Sequence, residues 1–262
     1  MSKVAVYDSG VGGLTVFSKI RAASPNAELI FISDNEAYPY GTKSEQALLE
    51  RVSEVGSAIL RQCQPDVLVL ACNTASTVCL PHLRRQLDIP IVGVVPAIKP
   101  AAKETQSKVV GLLATPATVN RSYTDQLIKD FASDCAITKL GSKALVDMAE
   151  RKLAGVSVDL DLLSSILMPL IEITELDTLI LACTHFPLLA DEIGAVFTQY
   201  NRSVRLIDSG DAVARRVKHL LSSSVNTDNI DHTALFTRHP ELPSLMHHLK
   251  SLGITRIDHL QL

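Results

Sequence analysis

Asp66-Val67-Leu68-Val69-Leu70-Ala71-Cys72-Asn73-Thr74 and Asp177-Thr178-Leu179-Ile180-Leu181-Ala182-Cys183-Thr184-His185 are near copies of one another, with the cysteine at the same place in both. In each, a short apolar run reads as a buried strand, and the cysteine follows just past its C-terminal end. That is where open α/β sheets place ligands. Two equivalent strands that each deliver a thiol imply one pocket attacked from two sides.

Reading outward from these strands reveals a repeat of larger scale. Lys3–Val6 and Lys108–Leu113 read as opening strands, and Glu28–Ser33 and Cys135–Leu140 as second strands. A helix precedes each cysteine strand. Leu48, Val52, Val55 and Ile59 keep helical spacing behind an N-cap at Ser44, and Leu160, Leu163, Ile166, Leu167, Leu170 and Ile171 do the same in the second half. Another helix is expected after each cysteine, then a strand at Ile91–Val95 or Val204–Ile207. Strands alternating with helices predict parallel sheets covered on both faces. The expected architecture is two similar parallel-sheet α/β domains related by pseudo-two-fold symmetry, with the active site in the cleft between them. The first would span 1–98 plus 209–262 and carry Cys72; the second would span 99–208 and carry Cys183. The C-terminal part reads as helix Ala212–Leu221, strand Ala234–Thr237, helix Leu242–Leu252 and strand Ile254–Asp258, returning to complete the first domain.

Composition narrows the function. The chain has 262 residues, 47% of them hydrophobic, which suits one or two domains with ample core. A net charge of −3, evenly spread, gives no reason to expect nucleic acid or an anionic membrane as partner. No apolar run approaches the roughly 18 residues of a membrane span. The first residues, Met1 to Asp8, enter a strand directly and lack the regions of a signal peptide. The five cysteines are odd in number and form no C-x-x-C pair, so free thiols in a reducing cytoplasm are expected.

A thiolate is both nucleophile and base, and a reference pKa of about 8.5 leaves only a few per cent ionised at neutral pH. A helix N-terminus favours the anion, and both cysteines stand where a strand hands over to the next helix. One such thiol suggests covalent catalysis. Two related by a repeat suggest that one removes a proton from carbon while the other returns a proton to the opposite face. That reaction is racemisation, and it needs no metal or coenzyme if the site stabilises the carbanion. Cys63, Cys79 and Cys135 have no counterparts in the other half and read as small buried apolar residues.

Other residues fit around the thiols. Asp8-Ser9-Gly10-Val11-Gly12-Gly13 follows the first strand, but Thr15 stands where a dinucleotide-binding loop would have its last glycine, and Asp8 would repel a phosphate. The loop suits an α-amino group at Asp8, with Ser9 and backbone N–H groups for a carboxylate; a plain turn and N-cap is the competing reading. The second Asp-Ser-Gly, Asp208–Gly210, reads as a cap. Tyr38-Pro39-Tyr40-Gly41 is a rigid turn suited to walling the pocket. Asn73, Thr74 and Thr184 are short hydrogen-bonding residues beside the thiols. Thr115 and Thr118 lie in the loop equivalent to that of Asp8, as substrate contacts or as helix caps. His185 can protonate or polarise Cys183. Cys72, Cys183 and His185 also make a conceivable zinc set, though neither H-E-x-x-H nor C-x-x-C accompanies it, and no metal is expected. Glu150 is a further candidate carboxylate, which sequence alone reads as an exposed helix residue.

The Asp8–Gly13 loop, Tyr40-Gly41-Thr42-Lys43-Ser44, Ala71-Cys72-Asn73-Thr74-Ala75, Val94-Val95-Pro96-Ala97-Ile98 and Cys183-Thr184-His185-Phe186-Pro187-Leu188-Leu189 resemble the signature segments of bacterial glutamate racemase, in that family's order. The Cys-Asn-Thr and Cys-Thr-His motifs are similar to those of the wider aspartate/glutamate racemase superfamily; the Asp8 loop points to glutamate. The resemblance implies cofactor-independent interconversion of L- and D-glutamate, supplying D-glutamate to peptidoglycan. It implies that Cys72 takes the α-proton from D-glutamate and Cys183 from L-glutamate, assisted by Asp8 and His185, with Glu150 as a further assisting carboxylate. Asp8, Ser9, Tyr40, Gly41, Asn73, Thr74, Thr184 and His185 would hold the substrate, and a homodimer is a frequent state in the family. One departure is that Gly141-Ser142-Lys143-Ala144-Leu145-Val146 stands where some relatives carry a Cys-Pro-rich segment. The rival readings are a racemase of aspartate or a hydantoin, an amino-acid-binding module without turnover, and a zinc hydrolase.

Overall fold

Both cysteine strands occupy inner positions of parallel β-sheets in the computed structural model, which describes residues 1–221, 230–240 and 243–262. The chain forms two units, Met1–Val94 with Gly210–Leu262, and Val95–Ser209. In the first, β1 (Lys3–Asp8), α1 (Leu14–Ala23), β2 (Glu28–Ser33), a 3-10 turn (Tyr40–Thr42), α2 (Glu45–Cys63), β3 (Val67–Leu70), α3 (Asn73–Gln86) and β4 (Ile91–Gly93) follow in order. In the second come α4 (Ile98–Glu104), β5 (Val109–Ala114), α5 (Pro116–Val119), α6 (Ser122–Phe131), β6 (Ala136–Gly141), α7 (Ala144–Leu153), α8 (Leu160–Ile171), β7 (Thr178–Ala182), a 3-10 turn (Phe186–Leu189), α9 (Ala190–Gln199) and β8 (Arg205–Ile207). The tail adds α10 (Gly210–Leu220), β9 (His232–Phe236), α11 (Pro243–Ser251) and β10 (Ile254–His259).

The first sheet runs β10-β9-β2-β1-β3-β4 and the second β6-β5-β7-β8, with every pair parallel. Within each unit the four repeated strands therefore take the same order: second, first, third, fourth. The order reverses between the first strand and the cysteine strand, and such a switch point opens a crevice at the carboxyl ends. The inner strands are covered on both faces, which is why they read as continuous apolar runs rather than alternating ones. Val4–Tyr7 on β1 and Leu68–Leu70 on β3 are all fully buried. Each buried aliphatic side chain there contributes roughly 1.5–3 kcal/mol.

The helices form as their periodicity predicts. Ser44 caps α2 by accepting the N–H of Ala47 at 3.3 Å, and Leu48, Val52, Val55 and Ile59 face the sheet. Asp159 caps α8 by accepting the N–H of Leu162 at 2.9 Å, with Leu163, Leu167 and Leu170 inward. The aspartate that opens each repeated segment has a structural task. Asp66 accepts the N–H of Lys3 at 2.7 Å, and Asp177 accepts the N–H groups of Gln106 and Ser107 at 2.7 and 2.8 Å. Each carboxylate ties the start of a cysteine strand to the start of the neighbouring strand, β1 or β5.

Several boundaries differ from the sequence reading. The strand expected over Ile91–Val95 stops at Gly93, where Val94 N–H turns to Leu70 O and Ser76 Oγ. The strand expected at Ala234 begins at His232, whose Nδ1 accepts the Leu29 N–H at 3.3 Å and draws the backbone into the sheet. The helix expected to begin at Leu242 is described from Pro243; Leu242 lies outside the described residues. In the Asp208–Gly210 segment, which directly precedes and opens α10, Ser209 donates its hydroxyl to Val95 O. Among the described residues no helix is long and apolar enough to cross a membrane.

Candidate active site

In the first unit, Cys72 is the N-cap of α3, and its carbonyl accepts the Ser76 N–H at 2.8 Å. An anion on Sγ there meets the positive end of a helix dipole, equivalent to roughly half a unit charge. Ser9, just past β1, places Oγ 3.8 Å from Cys72 Sγ. Behind it, Asp8 Oδ1 accepts the Ser9 N–H at 2.6 Å and the Ser9 hydroxyl at 3.3 Å. Thiol, hydroxyl and carboxylate thus form a chain, and all three residues are buried. Gly13 makes room for it, because a Cβ at that position would stand 2.7 Å from Asp8 Cβ and 3.0 Å from Asp8 Oδ2. Asn73 Oδ1, buried beside the thiol, has no hydrogen-bond partner among the described residues.

The second unit solves the same problem with other groups. Cys183 follows β7 directly, but an α-helix does not follow Cys183 directly. A turn and the 3-10 segment intervene before α9, which corrects, for Cys183, the expectation that each thiol stands where a strand hands over to the next helix. What backs Cys183 is His185, whose Nδ1 lies 3.8 Å from Sγ and whose Nε2 lies 2.6 Å from Glu150 Oε1. Burial works against the charged imidazole, but the Cys183 sulfur and the Glu150 carboxylate outweigh it and hold His185 well above the usual imidazole value. Glu150 comes from α7, whose position against the 3-10 turn is fixed by Lys152 Nζ donating to Leu188 O at 2.7 Å and to Glu192 at 2.9 Å. The side chain of Glu150 is 24% exposed, so the reading of an exposed helix carboxylate is corrected. Its signal was present in the sequence. Glu150 follows Val146 by four residues and so falls on the inward stripe with the buried Val146 and Ala149.

Residues 14–217 match the model of the Asp/Glu/hydantoin racemase family. The chain belongs to that family. It is an amino-acid racemase, an isomerase. The glutamate racemase of Pectobacterium atrosepticum is 51% identical over 86% of this chain and 78% of its own, and that of Vibrio parahaemolyticus is 54% identical over 84% and 79%. The crystal structure of Escherichia coli glutamate racemase in complex with L-glutamate and the activator UDP-MurNAc-Ala superposes with a TM-score of 0.91 at 44% identity, over 99% of this chain and 98% of that one.

The remaining candidates of the racemase fall into three pairs. Thr74 and Thr184 are buried in the residues that follow the thiols. Thr115 caps α5, accepting the Thr118 N–H at 3.3 Å, and its hydroxyl lies 3.0 Å from that of Thr118, so the capping reading holds for it. Tyr40 is buried, with its hydroxyl donating to Asp34 Oδ2 at 2.6 Å, and Gly41 follows it in the 3-10 turn. Both ring nitrogens of His185 face side chains, Nδ1 towards Cys183 and Nε2 towards Glu150. Sequence reasoning missed Asp34, Arg51 and Thr237, which support Tyr40. No local pattern marks them, since Thr237 lies 203 residues from Asp34.

Proposed function

We propose that the chain is a cofactor-independent glutamate racemase in which Cys72 and Cys183 act on opposite faces of one Cα. The observation that carries this reading is that each thiol has its own acid–base chain. Ser9 and Asp8 stand behind Cys72, and His185 and Glu150 behind Cys183. A mere binding module requires neither. With L-glutamate, the Cys183 thiolate removes the α-proton, and the Cα–H electrons pass into the substrate carboxylate. The Cys72 thiol then delivers its proton to the other face, leaving D-glutamate, a Cys183 thiol and a Cys72 thiolate. The D-to-L reaction runs the same steps in reverse. Asp8 and the carbonyl oxygen of Asn73 suit the α-ammonium; Ser9, Thr74, Thr184 and the Tyr40–Gly41 turn suit the carboxylates.

The names of the relatives support glutamate as substrate, as does the Asp8 loop. The D-glutamate formed would feed peptidoglycan assembly in the cytoplasm. The working particle would be a homodimer, which sedimentation can check. The test of the chemistry is exchange of the α-hydrogen of each glutamate enantiomer with solvent deuterium, in the presence of chelator. The wild-type chain should exchange and racemise, and Cys72→Ala and Cys183→Ala should each abolish racemisation. Near wild-type turnover by either single variant would sink the two-thiol mechanism. Turnover of aspartate in preference to glutamate would move the substrate within the family.

A further inference from the structure

A buried charged network holds the Tyr40–Gly41 turn, and none of the chemistry above uses it. Asp34, at the end of β2, is fully buried, yet its carboxylate accepts four hydrogen bonds. Oδ1 accepts from Arg51 Nη2 and from Thr237 Oγ1, both at 2.7 Å; Oδ2 accepts from the Tyr40 hydroxyl at 2.6 Å and from Arg51 Nε at 2.9 Å. Arg51 also donates to Glu36 at 2.7 Å. Burial pushes the Asp34 carboxyl up, but these donors outweigh it and hold it below its usual range. Tyr40 also contacts the Tyr7 hydroxyl. Tyr40 has a single hydroxyl hydrogen, which goes to Asp34, so Tyr7 is the donor to Tyr40. The chain thus runs in one direction, from Tyr7 through Tyr40 to Asp34 and its guanidinium clamp. It begins one residue before Asp8, in the same apolar cluster as Cys72.

A buried ion pair contributes little stability beyond what apolar packing at the same place would give. What it does fix is geometry, and the element it fixes here is the turn. We propose that Arg51, Asp34 and Thr237 are positioning residues: through Tyr40 they hold the Tyr40–Gly41 turn where it meets the amino-acid substrate. This rests on the reading of that turn as a substrate contact of a glutamate racemase. None of the three touches the reacting atoms, so their effect falls on substrate binding and leaves proton transfer unchanged.

The test compares kcat and KM for L- and D-glutamate, with thermal midpoints, in full-length wild type, Arg51→Gln, Arg51→Lys, Tyr40→Phe and Thr237→Val. Arg51→Gln should raise KM about tenfold in both directions while kcat stays within about threefold. Arg51→Lys should not rescue it, because an ammonium cannot supply the Nε and Nη2 pair to one carboxylate. A role confined to the scaffold would lower the thermal midpoint and the active fraction, and leave KM unchanged. Folded Arg51→Gln with wild-type KM values overturns the proposal. If Arg51→Gln does not fold, Tyr40→Phe and Thr237→Val decide, since each deletes one hydroxyl; wild-type KM in both overturns it. A wild-type chain that does not racemise glutamate removes the underlying reading, and the proposal with it, before any variant is compared.

Discussion

Glu150→Gln removes one charge from the chain behind Cys183 and keeps its shape. In the wild type, the half-buried Glu150 places Oε1 2.6 Å from Nε2 of the buried His185, the geometry of a charge-assisted hydrogen bond. Bonds of that kind contribute about 1.5–3 kcal/mol. If the whole of that stabilisation is felt when the imidazolium supports charge on Cys183, kcat/KM falls about 10- to 150-fold, at roughly 1.36 kcal/mol per factor of ten. L- and D-glutamate are enantiomers, so their equilibrium constant is unity. The fall must therefore be equal in the two directions, although Glu150 stands behind only one of the two thiols. Glu150 helps hold His185 above its usual value. Its loss lets the imidazolium give up its proton at lower pH, so the alkaline limb of the kcat/KM profile moves down. Circular dichroism of glutamate solutions, followed in both directions across pH, measures all three effects. A variant within twofold of wild type, with an unmoved alkaline limb, would refute the role assigned to Glu150.

Three further predictions concern stability and reactivity. The folded-state value of His185 is raised above the unfolded value of about 6.5, so its stabilisation is complete below that pH and disappears as pH rises through the folded value. The gap in thermal midpoint between wild type and Glu150→Gln should accordingly narrow with rising pH, and a gap that widens would contradict the assignment. Gly13→Ala must displace Asp8, whose Cβ lies 2.7 Å from the added atom; it should cost about 1–3 kcal/mol in urea unfolding and more than tenfold in kcat/KM. Full activity in that variant would show that Asp8 need not be held where it is. Burial pushes the Cys63 thiol up to about 11, so at about pH 8 it should resist iodoacetamide in the folded chain and react once unfolded. Rapid labelling of native Cys63, read by peptide mass, would refute its burial.

The repeat was legible because it is written in local composition. Short apolar runs mark β1, β3, β5 and β7, and the identical placement of Cys72 and Cys183 marks where those strands end. The family resemblance was legible for the same reason, since its signature segments are contiguous. Less visible was how the repeat is broken. The last residue of β1 is Asp8 and that of β5 is Ala114; two residues past the thiols stand Thr74 and His185. The first unit takes its carboxylate from the strand beside the thiol. The second takes it from α7, a helix inserted in the crossover where the first unit has the Tyr40 turn.

Taken alone, the sequence determined the strands, the helices that cover them and the end of the sheet at which each thiol emerges. These depend on which residues must be buried, and that is a property of neighbours along the chain. The family resemblance named Asp8, His185 and Glu150 as assistants of the thiols, but only the tertiary structure decided the contacts by which each chain is built. Ser9 meets Cys72 across 63 residues, Glu150 meets His185 across 35, and Thr237 reaches Asp34 across 203. A hydrogen bond forms or fails within a few tenths of an ångström. That distance is set by how crossover helices and loops pack on the finished sheet, which no local pattern encodes.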